Sequence, residues 1–580
     1  MSTTTRPVRA LPEVSQALLP ILILTATLVV YLGTLQFEFV YDDLGQIVTN
    51  PLVHSWSYLP VYFRANVWAQ SFVVGNYYRP IFMVWLLLNY TVFGLQPFFW
   101  HLTTVGLHVT ATWLVFVLVE RLTRDRRAAG IAALVFGLHP VHLEAVAWVS
   151  GLTEPLLAVF CIPAFLAYLN YRERERSPRW LAISLLLYTV ALFTKETAVI
   201  LPALIVAWEL IGSAEPAEWR QRLVSSVRVA VPYALLTGGY LLARANALHG
   251  LAHTLVRLPA SMLLLTIPSV VWFYLRVLIA PVHLSAFYDV PYVTHVSFRY
   301  FWWPLLQATA LLGVLGYWCW KARSRVIGFA AVWLLVPLLP LVDLRVLPQG
   351  DFVHDRYLYL PSVGFAILVA LALQKLKVGD AEILGQPASM MVATVLLVAA
   401  LGTGTVIQSV PWANDLLLYH HGVEIAPNND LPWNKLANAL VTRGLYEDGV
   451  KVYSTVLASD PDFWFANYRM GFAQYKLGRY AEAEKYLGHA LDINRTAEEF
   501  YYFGLTEMEL GKTDQAVEAL TVAVRRSPQT PGYHYALGVA LRKQGKAAEA
   551  LEAFKVELLL DPKNAGAQQQ VAELSREASH

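Results

Sequence analysis

Phe39-Val40-Tyr41-Asp42-Asp43-Leu44 follows an apolar run from about Ala17 to Leu35, and the reading of that junction decides the fold. A run near twenty residues is long enough to cross a bilayer. Two adjacent carboxylates just beyond it, with no neighbouring Lys or Arg, lie where charge is costly unless paired or used. They are either the solvated start of a loop or part of a chemical site. The rest of the chain bears on that choice.

The chain has 580 residues, 56% hydrophobic and 15% charged, with long apolar runs through the first ~410 positions and a polar remainder, so a polytopic membrane domain precedes a soluble one. Its 44 basic and 42 acidic residues leave a net charge of +2, and the basic ones form short clusters between apolar runs, a pattern of membrane orientation that speaks against nucleic-acid binding. Cys161 and Cys319 both lie in apolar segments, which leaves neither a disulfide framework nor a cysteine zinc site.

Arg6 and Arg9 ahead of the first apolar run give it the polarity of an uncleaved signal anchor, with the N-terminus cytoplasmic and Asp42 and Asp43 outside. Arg121, Arg124, Arg126 and Arg127; Arg172, Arg174, Arg176 and Arg179; Arg220, Arg222 and Arg228; Lys321, Arg323 and Arg325; and Lys375 and Lys377 then mark cytoplasmic returns. About eleven spans follow, at 17–36, 98–120, 128–142, 153–170, 180–194, 196–212, 229–246, 300–320, 326–344, 356–374 and 388–409. An odd count predicts a C-terminal domain on the side of Asp42. For this to hold, Ile81–Leu95, of only about 15 residues, and Met262–Ala280, interrupted by Pro268 and carrying Arg276, must not cross; they are predicted to be re-entrant or surface helices in two external loops, 37–97 and 247–299.

The external face then gathers Arg79, His139, His142, Glu144, Lys195, Glu196, Arg244, Asp289, Asp351, His354, Asp355 and Arg356 from separate segments. A lattice of ion pairs, for instance Lys195 with Glu144, would satisfy such charges without chemistry. His139, His142 and Glu144 carry metal-ligand side chains, but Pro140 breaks the helix between the histidines, and a helix-end cap is the simpler reading; metal dependence stays open.

Asp42-Asp43, Tyr78-Arg79-Pro80, His139-Pro140-Val141-His142-x-Glu144, Lys195-Glu196 and Arg356-Tyr357-Leu358-Tyr359-Leu360-Pro361, in this order and ahead of a repeat array, resemble the transmembrane and TPR-repeat-containing protein O-mannosyltransferases and their bacterial relatives. The resemblance covers nearly the whole chain. It implies a GT-C-type glycosyltransferase that takes mannose from a polyprenyl- or dolichyl-phosphate carrier, inverts the sugar linkage and modifies Ser or Thr hydroxyls of proteins. In that group an acid of the first external loop is the base, which points to Asp42 with Asp43 as its partner. Where relatives carry Glu before the last Arg, this chain has His354-Asp355. Transfer from a phosphate leaving group needs a carboxylate base and cations for the departing charge; the candidates for carrier-phosphate and sugar binding are Arg79, Lys195, Glu196, Arg244, His354 and Arg356, with His139, His142 and Glu144 supporting. In an extended loop Asp42 and Asp43 would face opposite ways, one reacting and one fixing the loop.

Beyond Val410, Ala437, Gly471, Gly504 and Gly538, and likewise Gly444, Gly478, Gly511 and Gly545, recur every 33 or 34 residues, the period of tetratricopeptide helix pairs. The whole is therefore an all-α chain: a membrane domain over 1–409, a connecting helix over 410–429, four repeats over 430–563, and a capping helix and tail over 564–580. Asn434, Asn438, Asn467, Tyr468, Tyr501 and Tyr535 on the first helices are candidates for gripping an extended acceptor peptide, unless they are interhelix packing. The expected partners are the lipid-linked donor, membrane lipid and an acceptor protein. The expected place is a bacterial inner membrane with the array external, or an endoplasmic reticulum membrane with the array lumenal. A glycolipid or cell-wall glycosyltransferase, a non-catalytic scaffold, and a transporter or polymer ligase are the other readings.

Overall fold

The computed structural model describes residues 13–71, 75–174, 176–212, 219–347, 350–383 and 385–577. Arg6 and Arg9 lie outside the described residues. The chain divides into two compact units, one up to His421 and one from Gly422 onward. Both are helical; a two-stranded ribbon pairs Glu382–Ile383 with Gln386–Pro387.

In the first unit, long runs that are apolar on every face form helices suited to lipid. Among the described residues, seven are long and apolar enough to cross a membrane, or eight if the bent pair Arg126–Gly137 and Pro140–Val146 is one span. They include Leu18–Gln36, Pro97–Thr123, Val149–Glu173, Arg220–Leu248 and Ala388–Ala413. Proline opens Pro80–Phe93, Pro97–Thr123, Pro178–Thr194 and Pro361–Leu373, where its missing N–H is not needed.

Each of the eleven expected segments is largely helical, but several are short or broken. The 128–142 segment bends by 52° before Pro140. The 196–212 segment is a 3₁₀ turn, Glu196–Ile200, followed by Leu201–Gly212, and the 356–374 segment opens in the 3₁₀ turn Asp355–Leu358 and is α-helical from Pro361 to Leu373. One expectation needs correction. Met262–Ala280 is not interrupted at Pro268: Ala260–Ile279 is one 20-residue helix with Pro268 inside it, long and apolar enough to span. A proline removes one backbone bond, and in an apolar helix the neighbouring bonds hold the turn. Pro80–Phe93, by contrast, has only 14 residues.

In the second unit, eight helices from Asp430–Thr442 to Ala547–Leu560 form four pairs, and Ala565–Glu577 follows them. The two glycine series have separate causes. Gly444, Gly478, Gly511 and Gly545 sit at φ of 74–85°, ending each first helix in the left-handed conformation that favours glycine. Gly471, Gly504 and Gly538 are sites of close approach: a Cβ on Gly504 would lie 2.7 Å from Leu520 Cγ.

Candidate functional site

The breaks in the first unit coincide with its polar residues. Short 3₁₀ or α turns at Pro140–His142, Leu143–Val146, Val149–Leu152, Glu196–Ile200 and Asp355–Leu358 interrupt the apolar helices. Irregular backbone at membrane depth is tolerated where it is enclosed by protein or lines a cavity. The turns also carry most of the predicted site residues.

The first loop is shaped at Tyr41, whose φ of 55° is left-handed, a strained conformation for a bulky residue. Its ring lies against Trp148 at 5.5 Å and Phe287 at 5.6 Å, which holds the turn in place. Asp42 and Asp43 therefore diverge because of a turn and not because of extended backbone. Asp43 is fully buried; its Oδ1 accepts from Ser150 N at 2.7 Å and Ser150 Oγ at 2.6 Å, and its Oδ2 accepts from Val40 N at 3.2 Å. Burial pushes its carboxyl up to about 7, against the lowering effect of those hydrogen bonds. Gly151 lets this turn pass close to the Leu143–Val146 turn, since a Cβ there would collide with the Glu144 carbonyl.

Asp42 lines a polar cavity with Tyr41, Gln46, Tyr77, Arg79, Trp148, Ser150, Asp351, Arg356 and Tyr357. Gln46 Nε2 donates to its Oδ2 at 3.5 Å. Each cation at or beside the cavity is held by its own acid. Arg79 makes a two-pronged pair with Glu196, at 3.0 Å and 2.5 Å, and lies 4.6 Å from the centre of the Tyr77 ring. Arg356 pairs through Nη1 with buried Glu144, whose Oε2 also accepts from Arg356 N at 3.0 Å, and its guanidinium lies 5.1 Å from the Trp148 and Tyr357 ring centres. Lys195, also buried, pairs with Glu154, 5.2 Å from the Tyr357 ring centre. The example of Lys195 with Glu144 is thus corrected: the chain ends closest to Glu144 belong to Arg356 and His354.

Other predicted residues lie outside the cavity wall. Arg244 donates from Nη2 to the Asn76 carbonyl at 2.6 Å and from Nε to the Leu251 carbonyl at 2.9 Å, so it ties loops together. His354 is buried between Glu144, 3.1 Å from Nδ1, and Asp351, 3.4 Å from Nε2. Asp355 accepts from the Tyr288 hydroxyl at 2.7 Å, and burial together with the Glu144 charge holds its carboxyl well above the usual range. His139 caps its turn by accepting from Val141 N at 3.2 Å, and His142 Nε2 lies 3.3 Å from Ser362 Oγ. No group of three or more His, Cys, Asp or Glu suited to a metal ion occurs among the described residues.

In the array, Asn467 and Tyr468 are buried and do not face a groove. Asn467 Nδ2 donates to the Pro461 and Phe463 carbonyls at 2.8 Å and 3.2 Å, and Tyr468 packs with Ala483, Leu487 and Ala490. Tyr535 packs over Gly566 and Phe554, and Tyr501 stacks on Tyr533 at 4.6 Å. These are interhelix contacts. Asn434 and Asn438 are half-buried on the first helix. Sequence reasoning missed Ser150 and Glu154. Glu154 was legible as a lone acid inside an apolar run, a pattern that signals a partner.

Fold and site together define a multi-pass helical membrane protein with a polar cavity at broken helix ends and a tetratricopeptide array. The tetratricopeptide repeat family model matches residues 434–497 and 501–565. The chain is a relative of the transmembrane and TPR-repeat-containing protein O-mannosyltransferases. It is 25% identical to mouse protein O-mannosyl-transferase TMTC3 over 94% of this chain and 64% of that protein, and 27% identical to human protein O-mannosyl-transferase TMTC1 over 75% and 54%. The chain thus spans less than two thirds of the length of these relatives. Among solved structures, the tetratricopeptide protein YrrB is similar over 28% of this chain and 84% of its own, at 22% identity and a TM-score of 0.26.

Proposed function

We propose that the chain is a membrane glycosyltransferase that moves a sugar, mannose in keeping with the names of its relatives, from a polyprenyl- or dolichyl-phosphate carrier to Ser or Thr hydroxyls of proteins. The observation that carries this reading is the placement of Asp42 in a cavity shared with Arg79 and Arg356. In the step so proposed, the Asp42 carboxylate takes the proton of the acceptor hydroxyl. The hydroxyl oxygen attacks the anomeric carbon from the face opposite the phosphate. The bond between that carbon and the phosphate oxygen breaks with inversion, and the electron pair leaves on the carrier phosphate.

The cations serve the departing charge. Arg356 commits one guanidinium nitrogen to Glu144, and its other two make no further side-chain hydrogen bond among the described residues, its flat faces lying beside the Trp148 and Tyr357 rings. Pairing with Glu144 and Glu196 fixes Arg356 and Arg79 without reorganisation at the moment of transfer, which is where such electrostatic stabilisation has its effect. Asp43, tied to Ser150, positions the loop. The array would recruit the acceptor protein, with Asn434 and Asn438 as its most accessible predicted amides.

The test is transfer of radiolabelled mannose from polyprenyl-phosphate-mannose to envelope proteins by wild type and Asp42→Asn at matched folded expression. Removing a general base should lower transfer by about 10²-fold or more while donor binding persists. A variant that transfers as well as wild type would remove Asp42 from the base role.

A further inference from the structure

A second cavity lies at the opposite end of the helices that lead away from Asp42. The Thr153–Glu173 helix begins beside Ser150, the Pro178–Thr194 helix ends at Lys195, and the Trp219–Leu248 helix carries Arg244 near its end. Their other ends gather around a cavity of about 410 Å³ lined by Tyr171, Arg176, Arg220, Arg228, Val229 and Pro232. At 1.5 Å per residue, the 21-residue Thr153–Glu173 helix covers roughly 30 Å, the thickness of a bilayer's hydrocarbon core.

Three neighbouring cations at this end are already matched. Arg172 pairs with Glu209 at 2.7 Å, Arg121 pairs with Glu173, and Arg174 lies 5.3 Å from the centre of the Trp180 ring. Arg176 and Arg228, by contrast, take no ion pair or hydrogen bond among the described residues, although they share the cavity with a third guanidinium, that of Arg220. Arg176 is also held at a φ of 58°, in the left-handed region. All three are exposed and Arg220 has a partner of its own, so water screens their mutual repulsion and an anion entering the cavity meets two guanidinium groups with no acid partner among the described residues.

Beside the cavity runs an apolar stripe that shares Val224 with its lining. On the Trp219–Leu248 helix, Val224, Val227, Val231 and Leu235 are exposed at helical spacing, and Arg228 falls within their stripe. That helix has 30 residues, roughly ten more than a crossing needs, so its first turns stand at headgroup level. Guanidinium groups beside and within an exposed apolar stripe match the boundary between a lipid phosphate and its acyl chains.

We propose that this cavity binds the headgroup of an anionic glycerophospholipid, with its phosphodiester between Arg176 and Arg228 and its acyl chains along Val224–Leu235. The site is separate from the donor cavity and stands whether or not the transferase reading does. It is tested by native mass spectrometry of the full chain released from micelles containing equal phosphatidylglycerol and phosphatidylcholine.

The wild type should retain phosphatidylglycerol about tenfold more than phosphatidylcholine. The single variants R176Q and R228Q should each lower that preference about threefold, the double variant should bring it near parity, and R176K/R228K should keep most of it. Equal retention of the two lipids by wild type, or an unchanged preference in the double glutamine variant, overturns the site. Displacement of the lipid by excess soluble glycerol phosphate overturns the lipid assignment in favour of a free phosphate.

Discussion

The two units satisfy their charges in opposite ways. In the first, the pairs around the Asp42 cavity join distant segments and have one or both members buried or half-buried: Lys195 with Glu154, Arg356 with Glu144, Arg79 with Glu196. In the array, the pairs between neighbouring units are exposed or half-exposed: Arg479 with Glu447 at 2.6 Å and Lys512 with Glu484 at 2.5 Å join adjacent repeats, and Arg542 with Glu573 at 2.6 Å joins the last repeat to the helix after it. A buried pair is indispensable once formed, because losing one member strands the other in low dielectric, whereas an exposed pair is replaced by water. The array is therefore held by shape and the membrane unit by pairing as well.

The sharpest way to break this contrast is Arg356→Ala, which strands Glu144, and the expected loss is about 3–5 kcal/mol of stability. It should show as a large drop in the thermal midpoint in detergent, partly restored in Arg356→Ala/Glu144→Gln. Restoration is the informative arm: if the double variant is no better than the single, the pair is not what holds these turns. Lys195→Met should act similarly through Glu154, with Glu154→Gln as its rescue.

The array should answer to volume instead. Gly504→Ala and Gly538→Ala place a methyl group 2.7 Å from Leu520 Cγ and 2.6 Å from Phe554 Cε1, and overpacking of this kind costs about 1–3 kcal/mol. Chemical denaturation of residues 422–580 would measure it, and a neutral result at both positions would mean that the repeats yield easily.

A subtler test uses Asp43. Its folded carboxyl lies at about 7, raised above an ordinary carboxylate near 3.9, so the folded state keeps a proton that the unfolded state has lost. Its contribution to stability is present below about pH 4 and is lost as pH rises through about 7. The thermal midpoint of wild type relative to Asp43→Asn should fall across that window; a pH-independent difference would place the Asp43 carboxyl near its ordinary value. At the small end, Arg479→Ala should change array stability by less than about 1 kcal/mol, since both partners of its pair are exposed.

Much of the fold was readable because it is periodic or compositional. The 33–34-residue steps of Gly444 to Gly545 state a backbone requirement at one turn repeated four times, and the apolar runs state a solvent. Local chemistry also marked Asp42-Asp43, Arg79 and Arg356 as polar residues in an apolar chain. The errors arose where a local signal met a tertiary one. Pro268 reads as a break but sits inside a continuous helix, and Asn467 and Tyr468 have a binding residue's chemistry but are buried in packing.

The sequence by itself determined the division into an apolar helical unit and a repeat array, since hydropathy and period depend only on residues near one another in the chain. Only the tertiary structure decided which acid holds which cation, that Tyr41 turns Asp42 toward the cavity while Asp43 goes to Ser150, and that Arg176 and Arg228 line one cavity. Those pairings join residues far apart in the chain, and many partners of the right charge were available. Packing alone selects among them, because it sets which side chains come within a few ångströms.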